Sequence, residues 1–351
     1  VDTLQQYGFT DRMKSRFTSH FTDPGLEPAR VARVDRGRIL VATGHGMMHL
    51  DGYTEAATGD WLALDTTDRD RPTVVGVMPR LSVLQRKKAY DPLAEAQVLA
   101  ANVEIVGVVV PIDRPISSNR LERTLVAAWD SGARPLVILT KADLRNKFDS
   151  VVAHTVDRAG AAEVITTSAE SGDGLDELLA RLGPGITMVL LGPSGAGKSS
   201  LANALVGKAL QNTGAVRATD GRGKHTTTSR ELIPIPGGAV LMDTPGLRGF
   251  ALWDAEAGLD EVFSDIEALF DACRFADCHH GPEPGCAVQE AIRSGALAER
   301  RWLSYQVMER ELASLHRRQA GAGGRAKGRS TRQRAKDAAM AKDYRNRFRQ
   351  P

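Results

Sequence analysis

Nine residues constrain this chain more than any other stretch: Gly192-Pro-Ser-Gly-Ala-Gly-Lys-Ser-Ser200. They fit G-x-x-x-x-G-K-[ST], a loop that cradles phosphate groups. Before them, Ile186-Thr-Met-Val-Leu-Leu191 is a short apolar run that reads as a buried strand. After them, Leu201-Ala-Asn-Ala-Leu-Val206 has helical spacing. Strand, glycine loop and helix in that order are the setting the motif requires. Gly192 and Gly197 let the backbone wrap closely around a phosphate, with Pro193, Ser194, Gly195 and Ala196 making the turn between them. Amides at the helix start then face the negative charge. Lys198 can reach the outer phosphates and assist their transfer, the Ser199 hydroxyl can ligate Mg²⁺, and Ser200 closes the motif. The loop alone does not separate ATP from GTP.

At 351 residues the chain has room for two or three cores. No stretch approaches eighteen uninterrupted apolar residues, so no transmembrane helix is expected. The start, Val1-Asp-Thr-Leu-Gln-Gln-Tyr7, lacks a signal-peptide layout. The three cysteines all lie between Cys273 and Cys286, which is no disulfide framework and suits a reducing cytoplasm. The net charge is +3, but residues 316–351 hold twelve Lys or Arg and two Asp, a local +10 that leaves −7 on the rest. A basic tail on an acidic body suggests a polyanionic partner.

Residues 1–30 read as polar and irregular. From Ala29 to about Val83 short apolar or β-branched runs alternate with Gly, Asp and Pro, as in Arg38-Ile-Leu-Val-Ala42 and Asp60-Trp-Leu-Ala-Leu64. A five-stranded barrel of the OB type fits that size. Arg80 to Lys88 reads as an exit linker. From Asn102, buried strands and helices alternate, which implies a mostly parallel sheet with helices on both faces. A later strand pair, Glu231–Ile235 and Ala239–Met242, turns at Pro236-Gly-Gly238.

Four further motifs give the loop its context. Thr140-Lys-Ala-Asp143 is close to Asn-Lys-x-Asp. The carboxylate of Asp143 can accept both the N1–H and the exocyclic amine of guanine, while Lys141 lays its aliphatic stem along the base. Thr140 stands where the pattern has Asn, and is too short to make every bond of an amide. Ser168-Ala169, one strand later, resembles the loop that backs the base. Asp243-Thr-Pro-Gly246 fits Asp-x-x-Gly, with Asp243 serving Mg²⁺ and Gly246 sensing the γ-phosphate. Gly221-Arg-Gly-Lys-His-Thr-Thr-Thr228 is placed as a switch in which Thr226, Thr227 or Thr228 reaches the metal. In Ras-type enzymes the two base motifs come last; here they come first, so the chain reads as circularly permuted. Such a change is tolerated because the termini of a compact fold often lie close together.

Beyond the switch, Cys273-x4-Cys278-x-His280-x5-Cys286 offers three thiolates and an imidazole, a tetrahedral set for a structural Zn²⁺. His279 beside His280 leaves the imidazole open to either. Residues 296–318 have a helical pattern, with Trp302, Leu303, Val307, Leu312 and Leu315 as expected buried positions. The Gly/Arg/Lys-rich end from Ala320 suits RNA.

The barrel, the permuted motifs, Gly-Arg-Gly-Lys-His-Thr-Thr-Thr and Cys-x4-Cys-x-His-x5-Cys together resemble the small-ribosomal-subunit-dependent GTPases, the RsgA/YjeQ family, over roughly residues 29–318. The resemblance implies an α/β circularly permuted P-loop GTPase domain with an N-terminal OB-fold β-barrel and a C-terminal helical zinc-binding domain. The corresponding divisions are the barrel over 29–88, the GTPase domain over 89–255 and the zinc domain over 256–318; an extension over 1–28 and a long basic tail over 319–351, expected to be disordered, stand outside the family pattern. It implies hydrolysis of GTP to GDP and phosphate, stimulated by the 30S subunit during late maturation, contact with 16S rRNA, Mg²⁺ with the nucleotide, and action as a monomer in the cytoplasm. Ras-like enzymes carry a water-orienting glutamine after Asp-x-x-Gly, where this chain has Leu247. The expectation is slow intrinsic turnover, with His225 brought to the water on the 30S subunit. A P-loop ATPase or kinase and an RNA-binding scaffold with an ordering nucleotide are the competing classes. The first predicts no guanine preference, and the second predicts binding without turnover.

Overall fold

The computed structural model describes residues 2–53, 55–68, 71–87, 96–114, 116–213, 230–235, 237–243 and 256–323. The N-terminal segment is not irregular. It holds a short helix α1 (Thr3–Gln6) and a ten-residue helix α2 (Asp11–His20). The Thr10 hydroxyl accepts from the Met13 N–H and so caps α2. Met13 and Phe17, four apart, bury one face against Trp61 and Met78. Two apolar residues per three turns are too thin a stripe to stand out in sequence, and the helix needs the barrel wall behind it.

Five strands come next: β1 (Leu26–Asp35), β2 (Arg38–Thr43), β3 (Gly46–Asp51), β4 (Trp61–Asp65) and β5 (Thr73–Val77). They pair antiparallel in the order β3-β2-β1-β4-β5. Strand β1 is shared: Leu26 to Arg30 face β4, while Arg30 to Asp35 face β2, with a register shift between Val31 and Arg33. The bulge bends one long strand into two sheet directions, which gives this small unit its curvature. Ala29, Val31, Ile39, Val41, Leu62 and Leu64 fill its interior.

The segment read as a linker is part of a hairpin, β6 (Val83–Lys87) with β7 (Ala96–Ala101). The basic residue at its start has a structural task, since Arg80 makes a two-pronged ion pair with the wholly buried Asp60 at 2.7 Å. A buried carboxylate needs such a partner, and a charge count along the chain does not reveal it.

The α/β unit contains β8 (Ile105–Pro111), α3 (Ser118–Asp130), β9 (Arg134–Thr140), α4 (Asp149–Arg158), β10 (Glu163–Thr166), α5 (Leu175–Ala180), β11 (Thr187–Leu191), α6 (Lys198–Thr213), β12 (Glu231–Ile235) and β13 (Ala239–Asp243). The order β10-β9-β8-β11-β13 is parallel throughout, and β12 pairs antiparallel outside β13. Alternate side chains divide the core. Val106, Val108 and Val110 join Leu121 and Leu125 on one face, while Ile105 and Val109 join Leu201 and Leu205 on the other. One bridge, Arg33 opposite Glu231, continues the sheet into the barrel.

Helices α7 (Glu256–Val262), α8 (Ser264–Phe270), α9 (Ala287–Ser294) and α10 (Glu299–Gly323) pack on the α3 face, and their core is continuous with that of the α/β unit. On α10 the buried hydrophobic residues are Trp302, Tyr305, Met308 and Leu312. Leu303 and Val307, expected inside, are 50% and 44% exposed. The stripe tracks the aromatic residues that meet Phe263 and Phe270, which rotates it one position from the aliphatic pattern. The side chain of Leu315 lies outside the described residues.

Candidate nucleotide and metal sites

Strands β8, β9 and β11 end side by side, and the loops leaving those three ends form the candidate nucleotide site, the place where ligands meet an open parallel sheet. After β11 the backbone turns at Gly192, where a Cβ would come within 2.5 Å of the Val109 carbonyl oxygen. Gly197 has φ +87° just before α6 begins at Lys198. Both glycines are therefore needed, one for close approach and one for a left-handed turn. The Lys198 ammonium folds back on the loop and donates to the carbonyls of Gly192 and Pro193, both at 2.9 Å. Its burial lowers its pKa. Ser199 and Ser200 open the helix with exposed side chains, while Ala196 is buried beneath the loop.

At the end of β9, Thr140 is buried and its hydroxyl donates to the carbonyl of Ala196 at 2.7 Å. Lys141 takes a left-handed conformation, φ +66°, and its ammonium pairs with the carboxylate of Asp113. Ala142 anchors the turn through its N–H on the Thr167 carbonyl. The exposed carboxylate of Asp143 accepts the Ser168 hydroxyl proton at 2.7 Å. Ser168 in turn accepts the N–H groups of Glu170 and Ser171 at 3.2 and 3.1 Å, so its loop is fixed before any ligand arrives. Ala169 is exposed beside it. The two stretches read from sequence as base-recognition motifs thus meet the phosphate loop at one sheet edge.

Two residues escape a reading of the sequence. Asp113 and Arg114 come after β8, the strand between the phosphate-loop strand and the base-side strand. Asp113 holds Lys141, and the Arg114 guanidinium donates to the Ser194 carbonyl. The signal was available: a charged pair at the carboxyl end of a buried parallel strand.

Asp243 ends β13, beside β11, on the phosphate side of the sheet. Gly246, Leu247, His225, Thr226, Thr227 and Thr228 lie outside the described residues, as does the tail from residue 324.

The ligating atoms of Cys273, Cys278, His280 and Cys286 lie within 4.8 Å of one another. His280 supplies the imidazole. Its Nδ1 is 3.5 Å from the Cys273 sulfur and 3.8 Å from that of Cys286. A left-handed backbone, φ +57°, turns its ring inward, and Phe270 stacks on it at 4.0 Å between ring centres. Cys286 opens α9, and the first helical N–H, that of Ala287, points at the Cys273 sulfur. Burial raises the Cys273 thiol, but this N–H and its neighbours outweigh it and leave the pKa lowered. For Cys278 a backbone hydrogen bond at His280 is outweighed by burial and the adjacent thiols, which push it up to about 11. Three sulfurs this close cannot all ionise without a cation among them, and the donor set fits a soft divalent metal.

A parallel sheet whose Thr140-Lys-Ala-Asp143 turn comes in the chain before its phosphate loop defines the class: a circularly permuted P-loop GTPase. Residues 77–253 match the family model described as RsgA GTPase. The protein from Streptomyces coelicolor named small ribosomal subunit biogenesis GTPase RsgA is 45% identical over 319 residues, covering 88% of this chain and 86% of that one. Its namesake from Streptomyces avermitilis is 44% identical, with 88% and 85% covered. The crystal structure of YjeQ from Thermotoga maritima superposes with a TM-score of 0.60 at 25% identity, covering 82% of this chain and 99% of that one. The chain belongs to the RsgA GTPase family, and it is a GTP hydrolase.

Proposed function

We propose that this GTPase acts on the small ribosomal subunit, hydrolysing GTP late in 30S maturation and stimulated by the 30S particle. One observation carries the reading. The base-side carboxylate of Asp143 and the phosphate loop share one sheet edge in a chain 45% identical to a protein named for small-subunit biogenesis. Ser199, Asp243 and one of Thr226, Thr227 and Thr228 are the residues we assign to Mg²⁺, which neutralises developing phosphate charge. Cys273, Cys278, His280 and Cys286 are assigned to a structural Zn²⁺ that staples the loop before α9 to α8.

The barrel and the basic tail are assigned to 16S rRNA, and the protein to the cytoplasm as a monomer. No helix among the described residues is long and apolar enough to cross a membrane. Leu247 cannot hydrogen-bond an attacking water, so intrinsic turnover is slow, and His225 takes that task once the subunit brings it to the water. GTP turnover measured with and without purified 30S subunits tests the reading. A large stimulation, lost in His225→Ala with 30S binding retained, supports it. An equal rate with and without the subunit sinks it.

A further inference from the structure

Three successive carbonyls of the phosphate loop are held by two cations. Lys198 takes those of Gly192 and Pro193, and Arg114 takes that of Ser194. The Lys198 side chain belongs to the loop motif itself. Arg114 does not; it reaches the loop from the end of β8. Its nearest guanidinium nitrogen lies 3.1 Å from where a Cβ on Gly195 would sit, so the group packs against the loop's backbone at its middle. A guanidinium carries five N–H donors in a fixed fork. Among the described residues, the Ser194 carbonyl is the acceptor it has, and the side chain is exposed.

The position relative to the base matters as much as the contact. Asp113, one residue earlier, holds Lys141 of the base-side turn. The Asp113–Arg114 pair therefore sits between the base pocket and the phosphate loop. Lys198 covers the loop's opening residues and is the group suited to the outer phosphates. Arg114 covers Ser194 and Gly195 from the side of the Lys141 turn, away from the loop's opening residues.

We propose that Arg114 is a second cationic ligand of the nucleotide, binding the α- and β-phosphates that GDP and GTP share. When those phosphates enter, the guanidinium exchanges or supplements its single carbonyl acceptor with phosphate oxygens, whose charge makes the bonds stronger. The inference rests on the reading of the loop as a guanine-nucleotide site and adds to it a residue from outside the loop motif.

Equilibrium binding of fluorescent GDP and of a non-hydrolysable GTP analogue to the full chain tests this, with unlabelled guanosine as competitor. Arg114→Ala should weaken both nucleotides by the same factor, about tenfold or more, the usual consequence of losing a charged hydrogen bond. Guanosine competition should be unaltered, and the loss in turnover should fall on KM. Arg114→Lys should recover part of the affinity, because it keeps the charge without the fork. Unchanged GDP affinity in Arg114→Ala overturns the proposal. So does a fall in kcat with GDP affinity intact, which would place the group at the γ-phosphate instead. Equal losses for guanosine and GDP would mean a disturbed base pocket, and would overturn it too. Failure of the unaltered chain to bind GDP would remove the nucleotide site itself, a distinct result. An unchanged melting curve for Arg114→Ala confirms that the variant is folded.

Discussion

The hydroxyl of Thr140 and the carbonyl of Ala196 are 2.7 Å apart, joined across 56 positions of sequence. This bond ties the base-side turn to the phosphate loop. An Asn side chain has more donors and acceptors, but a hydroxyl suffices for this link because Thr140 is buried against the loop. Thr140→Val keeps the shape and removes the donor. It should lower folding stability by about 0.5–1.5 kcal/mol and weaken GDP binding several-fold, since the loop loses a fixed support. Chemical denaturation and GDP titration measure the two effects, and unchanged values in both would show the bond to be idle.

Asp143 is held by the Ser168 hydroxyl yet remains exposed, so it is positioned without being spent. Asp143→Asn should cost GTP about 1.5–3 kcal/mol of binding, the worth of charge-assisted bonds. The variant should favour xanthosine triphosphate, whose 2-oxo group seeks a donor. Retained GTP affinity would take Asp143 out of the base pocket.

Chelation is expected to separate the two ends of the chain. Metal analysis should find about one zinc per chain, and Cys278→Ser should unfold the region around α8 and α9 while GTP binding persists. Zinc-free protein with an unaltered melting curve would refute this.

Glu122 on α3 is wholly buried and meets Arg301 of α10 at 3.4 Å, with Arg300 at 3.9 Å. Arg301 also forks onto Asp265 at 2.7 Å and donates to the Val262 carbonyl at 2.8 Å. Removing Glu122 leaves guanidinium charge under-compensated at the seam between the GTPase core and α10. Glu122→Ala should destabilise the protein by about 3 kcal/mol and expose α10 to limited proteolysis. Wild-type resistance to both denaturant and protease would show the pair to be dispensable.

His154 on α4 is hydrogen-bonded through Nε2 to the Ser118 hydroxyl at 3.1 Å. Its pKa is lowered from 6.5 by burial and by Arg158 and Arg300 nearby. The unfolded chain therefore takes up the proton first as pH falls. The stability this group contributes is present above 6.5 and is lost as pH drops through its depressed folded value. Stability should therefore decline as pH falls from 6.5 toward that lower value and level off below it, and His154→Gln should flatten the decline. An identical slope in the variant would assign it to other groups.

Sequence alone determined the phosphate loop, the permuted order of motifs and the metal spacing, because each is a local pattern of residue types at fixed intervals. It also determined the buried strands of the α/β unit, whose runs of Val, Ile and Leu allow few alternatives. Tertiary structure decided what depends on contacts between distant segments. It made a helix of residues 11–20 by giving Met13 and Phe17 a wall, and a hairpin strand of residues 83–87 by supplying β7 as a partner. It chose His280 over His279 through a left-handed backbone and the Phe270 ring. It rotated the buried face of α10 toward Phe263 and Phe270. It also placed Asp113 and Arg114 between the Lys141 turn and the phosphate loop, because β8 runs between β9 and β11. Strand order is set by which faces bury together over long separations, and no window of neighbouring residues carries that information.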